Sequence, residues 1–81
     1  SLILFFTRSL KPISINPVGN GTHLKILFSD PSGTKIFDAI GFGLADKVEQ
    51  LNHDHPKLAF HLEINAFRGH EKLQLNIVDV Q

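Results

Sequence analysis

Alternation of apolar and polar residues, broken only once, is the feature that most constrains what this chain can fold into. Apolar residues fall at every second position in residues 22–29, in residues 58–65 and from residue 72 onward. Successive side chains of an extended strand point to opposite faces, so this period predicts half-buried antiparallel strands. The residues predicted to face inward are Leu24, Ile26, Phe28, Leu58, Phe60, Leu62, Ile64, Leu73, Leu75 and Ile77.

Two further segments are strand-like but less regular. Residues 5–15 form one, in which Pro12 marks a bend or an edge position because proline cannot donate to a ladder. Residues 34–42 form the other, but Ile36 and Ile40 compete with Phe37 and Ala39 for the inner face. That conflict of phase is compatible with a β-bulge.

The break in the alternation is the stretch "GLADKVEQL", residues 43–51. Leu44, Val48 and Leu51 lie at positions i, i+4 and i+7, which form one stripe of a short helix. Gly43 is predicted to cap its start and Asn52 its end.

The resulting element order is typical of one fold class. Turn chemistry at residues 16–21, 30–33, 52–56 and 67–69 separates the segments, giving the order β-β-β-α-β-β. We therefore predict an all-β, five-stranded OB-fold, a Greek-key barrel with one short helix between strands 3 and 4, as a single domain over residues 1–81. A split β-α-β sandwich or an SH3-like barrel would also use five strands, but neither accounts as well for the helix position.

The start of the chain predicts a fragment. It begins at Ser1 rather than at methionine and runs directly into the apolar residues 2–6. This favours a piece of a longer protein, with Ser1 interpreted as a cloning remnant. The alternative is a native first strand that is simply buried.

Charge and cysteine content limit the classes of partner. Eight basic and eight acidic residues leave no net charge, which argues against a strongly basic nucleic-acid binder but permits a local cationic strip. The absence of cysteine excludes disulfides and thiolate metal sites and fits a reducing compartment. No apolar run has the length of a membrane span, and residues 1–6 lack the features of a signal peptide, so we expect a cytoplasmic location and no membrane partner.

The predicted fold places the polar loops near one another. OB barrels bind ligands across strands 2 and 3, between the loops that join strands 1–2 and 4–5. Here these loops are residues 16–22 and 65–70, and single-stranded nucleic acid requires cations for phosphates and flat rings for bases. Phe37 is a further candidate ring. The predicted nucleic-acid contacts are Arg68, Lys25, His23, His70, Phe67, Lys35 and Lys11.

Three of these residues, and the neighbouring Lys72, also have simpler interpretations. Phe67 is compatible with a hydrophobic lid on the barrel end, and Arg68 with a solvated turn residue beside Gly69. Lys25 is an ordinary outward strand residue. Lys72 is compatible with a cross-strand pair with Glu63.

No catalytic or metal-binding set stands out. His53, Asp54 and His55 share a loop, but a metal site needs three or four converging ligands, so only adventitious binding is expected. Asp38 and Asp46 are isolated, and Asp38 is equally compatible with a bulge or cap role. The chain alone is therefore not predicted to be an enzyme or to hold a cofactor.

With the strands placed, the chain resembles a known family from about residue 5 to residue 80. The stretches "THLKILF", "FDAIGFG" and "FHLEINAFRGHEKLQLNIVDV" are similar to the C-terminal region of bacterial RecJ-type single-stranded-DNA-specific exonucleases. Each motif alone is unspecific, but the ordered set is more specific. The residues that carry the resemblance are His23-Leu24-Lys25, then Asp38, Ile40 and Phe42, then Asn65, Phe67-Arg68-Gly69 and Leu73-Gln74-Leu75.

The resemblance implies a role in a larger nuclease. It implies an OB domain appended to a two-lobed catalytic core, whose Asp-His-His motifs bind Mn²⁺ or Mg²⁺ and cleave single-stranded DNA from its 5′ end. Those motifs are absent here, and the loop at His53 is not one of them. The resemblance thus implies single-stranded DNA and the core domains as partners, with Arg68, Lys25 and His23 as the best candidates for strand contact. It also places the parent protein in DNA repair and recombination.

A second class of function fits the same sequence. The chain is also compatible with a structural or protein-interaction domain that docks on the core or on a repair partner. The apolar residues 2–6 and the outward Leu27 would then form the contact.

Overall fold

The computed structural model describes residues 3–81, so Ser1 and Leu2, and the interpretation of Ser1 as a remnant, lie outside the described residues. Within that range the chain is almost entirely β-structure with one short helical segment. The strands are β1 (Phe5–Thr7), β2 (Lys11–Val18), β3 (His23–Ser29), β4 (Ile36–Gly41), β5 (Leu58–Phe67) and β6 (His70–Val80), and a 3₁₀ turn (Ala45–Lys47) leads directly into α1 (Val48–Leu51).

The described strands form one sheet in the order β1-β5-β6-β4-β3-β2. Only the β4–β6 pair is parallel. β1 and β2 lie at opposite edges of this order, yet Thr7 and Lys11, which bound the link between them, can be at most about 15 Å apart along the chain. The edges of a flat sheet of this size would be about 24 Å apart. The sheet therefore curls until its edges approach each other, which gives an OB-like half-barrel.

The core lies on the concave side of the curled sheet. Alternate residues of β3, β5 and β6 point there, as the sequence period predicts, and Leu51 of α1 joins them. The buried cluster consists of Leu24, Ile26, Phe28, Ala39, Leu51, Leu58, Phe60, Leu75, Ile77 and Val80.

The first predicted strand is two strands in the structure. Residues 5–15 were expected to form one element, whereas the chain leaves β5 after Thr7 and rejoins the sheet beside β3 at Lys11. Pro12 lies at a register shift between β2 and β3, and β2 is an edge strand, which confirms the predicted edge position. β2 also continues through Asn16 and Pro17, so the loop predicted at residues 16–21 is shorter, covering residues 19–22.

The uncertain phase of β4 resolves without a bulge. Ala39 is fully buried and Phe37 packs on the core, whereas Ile36 is exposed. The β3–β4 ladder runs without interruption, so no bulge is present there, and a register shift lies instead beside Phe60. Because Phe37 faces the core, the prediction that its ring is available to a ligand is wrong.

The helix is shorter than its sequence stripe. Leu51 is fully buried and Leu44 packs on the core, but Val48 is largely exposed. Gly43 is not its cap, since Lys47 precedes α1 and caps it without a side-chain hydrogen bond. Asn52 does end the helix, and its backbone N–H donates to the Val48 carbonyl.

The β5–β6 hairpin extends beyond the core. Ile64 and Leu73 face each other across the two strands, but they are 65% and 44% exposed, so the prediction that both are buried is wrong. The period correctly assigns their face. Within residues 3–81, β4 pairs with β6 only at Gln74–Asn76, so its ladder stops short of Leu73.

Candidate nucleic-acid interface

The tip of the β5–β6 hairpin is a two-residue turn with an unusual backbone. Phe67 pairs with His70, which leaves Arg68 and Gly69 as the central residues. Their φ angles are 51° and 79°. Two consecutive positive φ values are typical of a type I′ hairpin turn, which favours Asn-Gly because other residues are strained at the first position. The predicted left-handed Gly69 is confirmed, and Arg68 shares its conformation.

An open groove of about 400 Å³ lies beside this hairpin and reaches its tip. We call it the hairpin groove. It is built on the outward-facing side of the sheet, where β3, β4, β6 and β5 are successive neighbours. Its lining residues are Lys25, Asp38, Asn65, Phe67, Arg68, His70, Lys72 and Gln74.

Cationic groups predominate in the hairpin groove. Lys25, Arg68 and Lys72 carry positive charge, and Asp38 is the acidic residue of the lining. Lys72 forms an ion pair with Asp38 at 2.5 Å, so the pairing of Lys72 with Glu63 weighed from the sequence is not the one formed. Lys72 remains 71% exposed in this pair, which gives it little energetic weight.

A solvent-exposed aromatic ring lies beside these cations. The side chain of Phe67 is 70% exposed, so it is not a lid on the buried core. The Arg68 guanidinium lies 5.1 Å from the ring centroid of Phe67, within cation–π range. The ring and the guanidinium therefore present a flat surface and a positive charge at the same rim.

His23 is placed away from the hairpin groove and is tied into the structure. Its Nδ1 accepts a hydrogen bond of 2.8 Å from the backbone N–H of Gly43. Its ring makes an edge contact with Phe42 at 5.5 Å. The imidazole thus joins the start of β3 to the segment after β4. His23 is not among the residues that line the hairpin groove.

Lys11 and Lys35 are also separated from the groove. Lys11 pairs with Ser29 at the opposite end of β3 from His23, and the Lys35 backbone N–H donates to Asp30 in the β3–β4 turn. Of the seven predicted contact residues, the structure brings together four: Lys25, Phe67, Arg68 and His70.

The groove also contains polar residues that were not among the predicted contacts. Asn65 and Gln74 lie on the floor of the groove, and the Asn65 Nδ2 donates to the Gln74 Oε1 at 2.8 Å. The signal for these residues was present in the alternation. Asn65, Lys72 and Gln74 occupy the outward phase of β5 and β6, which the sequence predicts to face away from the core.

Within residues 3–81, no three His, Asp or Glu side chains come together in a way that could hold a metal ion. No helix in that range is both long enough and apolar enough to cross a membrane.

The curled all-β sheet, its short helix and the groove beside the β5–β6 hairpin define an OB-like domain. Residues 2–79 match the family described as the RecJ OB domain, so the chain belongs to that family. It is also similar to the single-stranded-DNA-specific exonuclease RecJ of Haemophilus influenzae, with 40% identity over 72 residues. That alignment covers 86% of this chain but 12% of the relative. No solved structure matches the chain.

Proposed function

We propose that this chain is a single-stranded-DNA-binding accessory domain of a RecJ-like exonuclease. In this proposal the domain helps hold the strand for a catalytic core that lies outside the chain and degrades single-stranded DNA from the 5′ end. The core domains are then the partners of this chain. In the proposed five-stranded Greek-key barrel, β1 and β2 together count as the first strand. The parent protein is a cytoplasmic hydrolase of DNA repair and recombination.

The observation that carries the proposal is the position of the hairpin groove. It joins Lys25 on β3 to Arg68 at the hairpin tip, across the surface where OB domains bind oligonucleotides. Cations beside an exposed ring are what a single strand requires, since phosphates need charge and bases need a stacking surface. Family membership supports the same assignment.

The metal of the proposed parent is assigned to the core. The family resemblance implies Mn²⁺ or Mg²⁺ in the core, but the side chains of residues 3–81 do not provide a ligand set for it. The metal and the hydrolytic chemistry are therefore assigned to the core, and no step is proposed through residues of this domain.

Oligonucleotide binding by the 81-residue chain tests the proposal. Fluorescence anisotropy with labelled oligo(dT) of about 15 nucleotides, from about 50 to about 200 mM salt, gives the affinity and its salt slope. We expect the double variant Lys25→Ala with Arg68→Ala to bind more weakly. The magnitude of its salt slope should fall by about 1.4, because each phosphate contact on a single strand contributes about 0.7.

A matched control separates this surface from net charge. Arg8→Ala with Lys57→Ala removes the same two charges from exposed positions outside the hairpin groove. Its affinity and salt slope should remain those of the wild type. Equal losses in the two double variants, or no binding at low salt, would exclude the hairpin groove as the DNA site.

A second function is favoured by the exposed apolar surface at the N-terminal side. Ile3 is 63% exposed and Phe6 is 68% exposed; Phe6 belongs to the edge strand β1, and Ile3 lies just before that strand. Such a patch is typical of a protein contact, here with the proposed core. Leu27, the other residue predicted to form this contact, offers less apolar surface because it is only partly exposed. Wild-type oligonucleotide binding too weak to measure at low salt would favour this docking role.

A further inference from the structure

The floor of the hairpin groove, formed by Asp38, Gln74 and Asn65, carries one acidic group and two neutral amides but no cation. We propose that it contacts the bases of the strand and prefers bases that carry an exocyclic amino group, such as cytosine, over thymine. This inference rests on the proposed function and adds to it the orientation of the strand and a base preference.

The floor is a continuous row of polar side chains across neighbouring strands. Asp38 of β4 lies opposite Gln74 of β6 in the parallel ladder. Asn65 of β5 donates to Gln74 from its Nδ2, which fixes both amide groups in one orientation. The three residues therefore form a connected surface in the groove that the exposed ring of Phe67 also lines.

Two carboxylate oxygens on this face have no hydrogen-bond partner within residues 3–81. The Asn65–Gln74 bond leaves the Asn65 Oδ1 as an acceptor, and the Asp38 Oδ2 takes the Lys72 ammonium while its Oδ1 has no partner within residues 3–81. Glu63, on the same outward face and opposite Gln74, has a buried Oε1 that also lacks a partner in the described chain. Buried polar atoms ordinarily find partners, so this face is suited to a ligand that brings donors.

A phosphate brings no donors and is repelled by the carboxylate of Asp38. Its better position is beside Lys25 and Arg68, the two cations of the lining that have no ion pair within residues 3–81. With phosphates at the rim, the bases turn toward the floor and the ring of Phe67.

The carboxylate of Asp38 would distinguish the two pyrimidines. Cytosine presents its N4 amino group as a donor, and a carboxylate is the usual protein acceptor for it. Thymine presents the O4 acceptor at the same place, which Asp38 would repel. Because the two bases have similar rings, stacking on Phe67 contributes little to the difference.

The test compares oligo(dC) and oligo(dT) of about 15 nucleotides by anisotropy on the wild-type chain. We expect oligo(dC) to bind about fivefold more tightly, the effect of one good base contact in an open groove. The Asp38→Asn variant should bring this ratio close to one. An oligonucleotide of N4,N4-dimethylcytosine, which lacks the amino donor, should bind the unaltered protein no better than oligo(dT).

The affinity ratio is the deciding quantity, because Asp38→Asn also releases Lys72 and so raises affinity for every strand. Lys25→Gln is the control: it should weaken both oligonucleotides equally and leave the ratio unchanged. If the wild type binds oligo(dC) and oligo(dT) with equal affinity, the inference is overturned and the proposed function stands. The same conclusion follows if the preference over oligo(dT) persists in Asp38→Asn or with the dimethylated base. Failure to bind any oligonucleotide overturns both.

Discussion

Arg68 combines backbone strain with an exposed position at the hairpin tip. A non-glycine residue at φ 51° lies in the left-handed region, which costs about 1 kcal/mol for most side chains and less for asparagine. Strained residues persist where the surrounding structure holds them, and they are frequent at ligand-binding positions. The turn therefore retains an arginine where asparagine would be more stable.

Replacing Arg68 should separate stability from binding. We expect Arg68→Asn to raise the free energy of unfolding by about 0.5–1 kcal/mol, because asparagine suits the first position of this turn. Its affinity for oligonucleotides should fall because the guanidinium is lost. Urea denaturation and anisotropy measure the two effects. Arg68→Ala removes the same charge without relieving the strain, so equal stability of the two variants would contradict the strain argument.

Gly19 is held by a close approach as well as by its backbone. Its φ is 58°, and a Cβ there would lie 2.7 Å from the Cδ2 of His23. We expect Gly19→Ala to destabilise the domain by about 2 kcal/mol, from backbone strain and from displacement of His23. Gly21→Ala provides the control, since Gly21 has φ 81° but open space around its Cβ position. If thermal unfolding shows equal losses, the His23 contact carries no energy.

Among the elements, the β3–β4 turn depends on one carboxylate. Asp30 accepts hydrogen bonds from the Ser32 hydroxyl and from the backbone N–H groups of Thr34 and Lys35. The hydrogen bond from Ser32, followed by that from Lys35, lowers the pKa of Asp30 below its ordinary value of 3.8. The charged form of Asp30 is therefore the one that organises the turn.

The stability supplied by Asp30 should depend on pH. Because its pKa is lowered by folding, the native state binds fewer protons than the unfolded state, and the stabilisation is complete above pH 3.8. It is lost as the pH falls through the lowered native pKa. We expect Asp30→Asn to unfold at a lower temperature than the wild type at neutral pH, with the difference shrinking in acid. For Asp54→Asn, an exposed loop control, a gap that changed in the same way would contradict this assignment.

The strands and the hairpin also show which structural features the alternation of the sequence can predict. Alternation correctly predicts Leu24, Ile26 and Phe28 as core residues, because period-two patterning depends only on which face is buried. It cannot show where the neighbouring elements stop, and this is why Ile64 and Leu73 are exposed. The hairpin turn can be predicted from the sequence because its positive φ angle is a local feature that favours glycine, here Gly69.

Residues whose position depends on distant contacts were beyond the reach of the pattern. The orientation of the His23 ring depends on its hydrogen bond with the Gly43 backbone N–H. The position of Lys11 depends on where β1 ends and β2 begins. The Asp38–Lys72 pair arises from the parallel contact of β4 with β6, and no local signal in the sequence specifies that contact.

At the scale of the whole molecule, stability depends on a small core. A chain of this length buries only about 60% of its unfolded surface. We expect Ile26→Ala to cost about 3 kcal/mol, a large part of the total stability, because Ile26 is fully buried. Ile36→Ala on the paired strand β4 is the control, and since Ile36 is 55% exposed its cost should stay within about 0.5 kcal/mol. Denaturant unfolding curves that showed similar costs would place the core elsewhere.

The split between β1 and β2 also determines when the domain can be completed as the chain emerges during synthesis. β2, β3 and β4 pair with their neighbours in sequence, but Phe5 must wait for Phe60. Contacts between distant residues form late because closing a long loop costs entropy before it is repaid. β1 is thus expected to dock only after residues 58–60 leave the ribosome, and until then its apolar side chains stay open to chaperones.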